Sequence, residues 1–140
     1  MLELSSLAAE SPWGYALSPI NTRGKSSLIR REDAPDQLRI MAQELGFTFP
    51  LCYDERQVTA KAYTAACTPD FFLFDSERRL VYRGQLDGSR PGNDKPVNGC
   101  DLRAAIDAVL AGRSVDPEQK PSLGCNIKWK PGNEPSYYTS

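Results

Sequence analysis

The chain contains no histidine. That excludes imidazole acid/base catalysis, Ser-His-Asp and Cys-His nucleophile pairs, and most zinc sites. Its four cysteines, at 52, 67, 100 and 125, are scattered. None is close enough to another for a zinc knuckle or a CxxC redox pair. No hydrophobic run approaches the ~20 residues that span a bilayer. Net charge is also lacking: 17 Lys and Arg against 18 Asp and Glu leave −1. Such a balance argues against an extended nucleic-acid or anionic-membrane surface. The opening MLELSSLAAE carries acids and no basic segment ahead of an apolar one, unlike a secretory leader, so the cytoplasm is the expected compartment.

What is present suits a soluble α/β protein. Hydrophobic residues make up 40% and charged residues 25% of 140 positions, and a chain of that length buries roughly 68–70% of its unfolded surface. Leu2 to Ala9 reads as the end of a helix, stopped at Ser11-Pro12, and Tyr15 to Ile20 as a strand. Asp33 and Pro35 open a helix carrying Leu38, Met41, Ala42 and Leu45 on one side, with Gly46 as its left-handed stop. Phe47 to Tyr53 is a short apolar run, and Asp54 caps a helix predicted over Glu55 to Ala62. Asp70 to Asp75 and Arg79 to Arg83 are two apolar runs joined by Ser76-Glu77-Arg78, the pattern of an antiparallel hairpin. Gln85 to Asn98 is a loop by composition. Asp101 to Ala111 is an amphipathic helix with Leu102, Ala105, Ile106, Val109 and Leu110 inward and Gly112 at its end. Residues 1–112 thus form the expected domain, and the proline-rich 113–140 an irregular tail pinned to it by Trp129.

Three stretches carry a resemblance: Cys67-Thr-Pro-Asp-Phe-Phe-Leu-Phe-Asp75, Tyr82-Arg-Gly-Gln-Leu-Asp87 with Ser89-Arg-Pro-Gly-Asn93, and Pro121-Ser-Leu-Gly-Cys-Asn-Ile-Lys-Trp-Lys-Pro-Gly-Asn-Glu-Pro135. In them, and in its order of elements, the chain resembles the peroxiredoxin-like thioredoxin family (the redoxin or alkyl-hydroperoxide-reductase/thiol-specific-antioxidant group) from about Leu4 onward. The resemblance implies a thioredoxin-like fold with a proline held cis at Pro69. It implies thiol–disulfide or peroxide chemistry of an antioxidant oxidoreductase, without a cofactor, on a thiol- or disulfide-bearing protein or small molecule. Relatives of this kind carry a CxxC after a first, central strand. Here that strand and turn are missing, so impaired activity and a chain starting late are expected. Strands sit ~4.8 Å apart, and removal of a central one opens roughly 10 Å. The remaining strands close up, a partner or second copy donates a strand, or the missing segment lies upstream.

Within this frame Cys67 is the candidate catalytic thiol, as a resolving or exchange partner. Its bland alternative is a small buried core residue, the commoner fate of a free cysteine. Thr68 and Pro69 are the candidate substrate-binding residues, against an ordinary proline opening a strand. Cys125 pairs with Cys67 or Cys100 if the tail folds back far enough, while Cys52 and Cys100 read as core or helix-cap residues. No metal set is expected. The competing function is a non-catalytic module that binds extended partners in the cis-proline groove.

Overall fold

The structure, a computed structural model, describes residues 35–138. The expected helix over Leu2 to Ala9, the strand over Tyr15 to Ile20 and the cap at Asp33 lie outside them. Described elements run α1 (Pro35–Glu44), α2 (Val58–Ala62), β1 (Cys67–Thr68), β2 (Phe71–Phe74), β3 (Leu80–Gly84), α3 (Cys100–Leu110) and β4 (Cys125–Asn126). Among the described residues, helices are mixed with two small antiparallel sheets, β1–β4 and β2–β3. Its contacts divide it into two compact units: one ends at Ala66 and resumes at Ile127, the other is Cys67–Asn126. The tail expected from residue 113 onward is therefore shared between them.

In the first unit, α1 starts at Pro35 and buries Leu38, while Met41 and Leu45 are exposed. Its end is closed by two bonds around Gly46 at φ +62: Gly46 N–H to Gln43 O at 3.2 Å and Phe47 N–H to Ala42 O at 2.9 Å. This is the Schellman arrangement, which needs a residue tolerant of the left-handed region. The helix expected from Glu55 begins only at Val58, because Gln57 turns left-handed at φ +57. Asp54 still caps it, accepting the Ala60 N–H at 2.9 Å.

Gln57 is fully buried, with 0% exposure. Its amide donates to Lys128 O at 3.0 Å and accepts from Lys130 N at 2.8 Å and Asn133 Nδ2 at 2.9 Å. One side chain thereby ties the returning tail to the segment before α2. Buried Trp129 and the Tyr137 ring meet edge to face, centroids 6.3 Å apart, and the Tyr137 hydroxyl reaches Ala60 O at 3.4 Å and Ala65 O at 3.3 Å.

The second unit is built on the β2–β3 hairpin and α3. Leu73, Tyr82 and Ala105 form its core, joined by Phe71, Val81, Leu102, Ile106, Val109 and Val115. Asp75 sets the turn: its carboxylate accepts the N–H groups of Glu77 and Arg79, both at 2.9 Å, and Arg78 takes φ +62. Helix α3 buries Ala105 and Ala108 and leaves Leu110 exposed. At 100° per residue Leu110 falls about 140° from Ala105, off the inward stripe. Gly112 closes α3 as Gly46 closes α1, with Arg113 N–H on Ala108 O at 2.8 Å.

Candidate functional site

The second unit brings the three sequence-predicted site residues together. Cys67 and Thr68 form β1, and the Thr68–Pro69 bond that follows is cis. Across from β1 lies β4, antiparallel, with Cys67 opposite Asn126 and Thr68 opposite Cys125. Directly opposed residues share a face of a sheet and successive residues alternate. Thr68 and Cys125 are therefore on one face and Cys67 and Asn126 on the other. The tail does fold back towards Cys67, yet this register directs the two thiols to opposite faces. All four cysteines are free.

Burial separates the two thiols as well. Cys67 is 8% exposed, whereas Cys125 is open to solvent. The Cys67 sulfur lies 3.6 Å from Pro69 O, an S–H donor contact. Burial pushes the Cys67 thiol up, the Asp70 carboxylate adds to the rise, and the Arg83 guanidinium opposes it. A free thiol is only about 3% ionised at pH 7, and Cys67 falls below that. Attack on a disulfide requires the thiolate, so this environment suits packing better than nucleophilic work.

Asp70 and Arg83 flank the site. Their side chains meet at 3.3 Å, and the guanidinium also lies 5.1 Å from the Phe72 ring centroid. The Arg83 backbone N–H donates to Gln119 Oε1 at 2.9 Å. The pair thus sits on the hairpin with its charge partly neutralised beside Cys67.

Two residues to which the sequence pattern assigns no site role matter here. Gly124 lies so close to Thr68 that an added Cβ would stand 2.1 Å from the Thr68 carbonyl oxygen. Only a glycine backbone fits there. A lone glycine in an otherwise extended Leu-Gly-Cys-Asn-Ile run was the signal, since such a glycine marks close backbone approach. The second is Asp87, 2% exposed in the loop expected only from its composition. Its carboxylate accepts Ser89 N–H at 2.9 Å, Asn98 N–H at 2.8 Å and Gly99 N–H at 2.6 Å, and also the Ser89 hydroxyl. The Ser89 hydroxyl, then the Gly99, Ser89 and Asn98 amides, hold it well below the usual carboxylate range. The Asp-Gly-Ser sequence signals the local turn; the bonds to Asn98 and Gly99, which tie the loop to the start of α3, are long-range and leave no local mark.

Solved structures similar to this chain include two with no activity in their names. One is an uncharacterized conserved protein from Geobacillus kaustophilus, 59% identical, TM-score 0.68, matching 73% of this chain and 54% of that one. The other is a hypothetical protein from Sinorhizobium meliloti, 52% identical, TM-score 0.68, matching 76% of this chain and 58% of that one. The chain thus spans a little over half the length of each, and neither protein's name states an activity. No protein-family model and no curated protein matches the chain.

Proposed function

We propose that this chain is a thioredoxin-like thiol–disulfide or peroxide redox protein in which Thr68 and Pro69 receive an extended, thiol- or disulfide-bearing segment. One observation carries the reading: an extended, cysteine-bearing backbone already lies antiparallel on Thr68, with Cys125 directly across. A main-chain edge that accepts such a segment from its own chain has the form needed to accept one from a substrate. The substrate is a thiol or disulfide protein or small molecule, and no cofactor enters. Cys67 is part of this edge, but its burial makes it a poor attacking group. With no CxxC among the four cysteines, the chain as written turns over slowly. A reducing compartment, the cytoplasm, suits four unpaired thiols. No helix among the described residues is long and apolar enough to cross a membrane.

The protonated, enclosed Cys67 thiol also favours a second reading, a binding module without chemistry. One pair of measurements separates them. Insulin-disulfide reduction by the chain should stay near the uncatalysed rate, and turnover at ordinary thioredoxin rates would reject the impaired site. A disulfide-bearing peptide should shift the NMR signals of Thr68 and Asp70, while a serine analogue shifts them less. Equal shifts from both peptides indicate plain binding, and no shift from either rejects the substrate edge.

A further inference from the structure

The segment that lies on β1 is held unevenly. On one side, the Ser122 hydroxyl donates to Gly84 O at 2.6 Å, and Gln85 N–H donates to Lys120 O at 3.0 Å. On the other, Ile127 is 1% exposed. Between these anchors all four residues, Leu123 to Asn126, are exposed, Leu123 by 68%. Only two residues of the segment pair with β1. The side-chain bond that holds them is the Thr68 hydroxyl on Cys125 O, at a long 3.3 Å.

Firm ends and a weakly held, solvent-exposed middle are the features of a segment that opens locally without global unfolding. We infer that Leu123–Asn126 is a strap that closes the Cys67–Thr68 edge by occupying it as a peptide would. Lifted, the strap leaves an edge that takes an extended peptide with glycine at the position now held by Gly124. The glycine requirement follows from the 2.1 Å approach to the Thr68 carbonyl, which no side-chain-bearing residue can reproduce. This deepens the substrate-edge reading and rests on it: the strap regulates that edge and names the backbone form of its ligand. No thiol chemistry is involved in the opening.

The test uses the full chain and amide hydrogen exchange. In the unsubstituted protein, β1 and β4 amides should exchange about 100-fold faster than those inside the β2–β3 hairpin, as local opening requires. Gly124→Ala, whose Cβ collides with the Thr68 carbonyl, should speed β1 and β4 exchange about tenfold further and leave the hairpin unchanged. Thr68→Val, which removes only the hydroxyl bond, should act in the same direction and serves if Gly124→Ala does not fold. The probe is the capped peptide Ser-Leu-Gly-Ser-Asn-Ile, free of thiol. It should bind the loosened variant about tenfold more tightly than the parent, and an Ala-for-Gly peptide should not bind. Exchange of β1 and β4 at the hairpin's rate overturns the strap, as does equal binding to parent and variant. If the strap stays shut while a disulfide peptide still shifts Asp70, the substrate reading survives alone. If the edge opens and takes no peptide, both fall.

Discussion

Cys67 and Asp87 show how one side chain's surroundings decide its chemistry. Both are buried and titratable, and they are driven opposite ways. Cys67 has a single sulfur–carbonyl contact and a neighbouring carboxylate, so its neutral form is favoured. In a thiol-reagent titration, Cys100 and Cys125 should therefore react first and Cys67 last. The Cys67 rate should keep climbing as the pH rises into the alkaline range, because burial holds the thiol neutral and only the thiolate reacts. A fast Cys67 at neutral pH would contradict its assignment as a packed residue. Asp87 has four donors for two oxygens, so its charged form is favoured. Its depressed pKa stabilises the fold fully above the unfolded value near ~3.9, and that contribution fades as pH falls through the lower folded value. Asp87→Asn should lower the melting temperature at pH 7 and flatten the loss of stability below about pH 4. A variant that keeps the parent's acid dependence would place the acid-sensitive group elsewhere.

At the scale of elements, ends were easier to read than pairings. Gly46 and Gly112 each announce a helix stop, and in both cases the bonds that close the helix are local ones, to carbonyls three to five residues back. The hairpin was readable for a similar reason: Asp75, Arg78 and Arg79 settle its turn among themselves. Helix α2 starts later than its sequence pattern suggests because Gln57 leaves the helical region to reach Lys128 and Lys130, partners more than 70 residues away. No local pattern marks such a residue. Gln57→Leu should strand the Lys130 N–H and the Lys128 carbonyl, at about 1–3 kcal/mol for each group left unpaired. Chemical denaturation of the variant measures this. A change below about 0.5 kcal/mol would mean that water replaces both bonds.

For the whole molecule, the question is which thiol does any work. Cys67 is enclosed, and Cys100 and Cys125 are exposed. With a small-molecule disulfide, Cys125→Ser should cut the slow exchange rate of the chain by about half, while Cys67→Ser leaves it unchanged within measurement. Loss of exchange in the Cys67 variant would restore that residue as the chemical centre. The similar proteins from Geobacillus kaustophilus and Sinorhizobium meliloti each extend well beyond the part this chain matches. Any activity of such longer proteins is therefore a separate question from the slow exchange expected here.

Composition and spacing alone ruled out histidine chemistry and a CxxC within these residues, and they placed α1, the hairpin and α3 within a few residues. These features depend on neighbours in sequence: periodicity, turn chemistry and cap glycines act over one to five positions. The pairing of β4 with β1, the Gln57 clamp, the Asp87 bonds to the start of α3 and the opposite facing of Cys67 and Cys125 were decided only by tertiary structure. Each joins positions 11 to 76 residues apart. At such separations the partner of a hydrogen bond is chosen by packing, and a linear pattern carries no record of that choice.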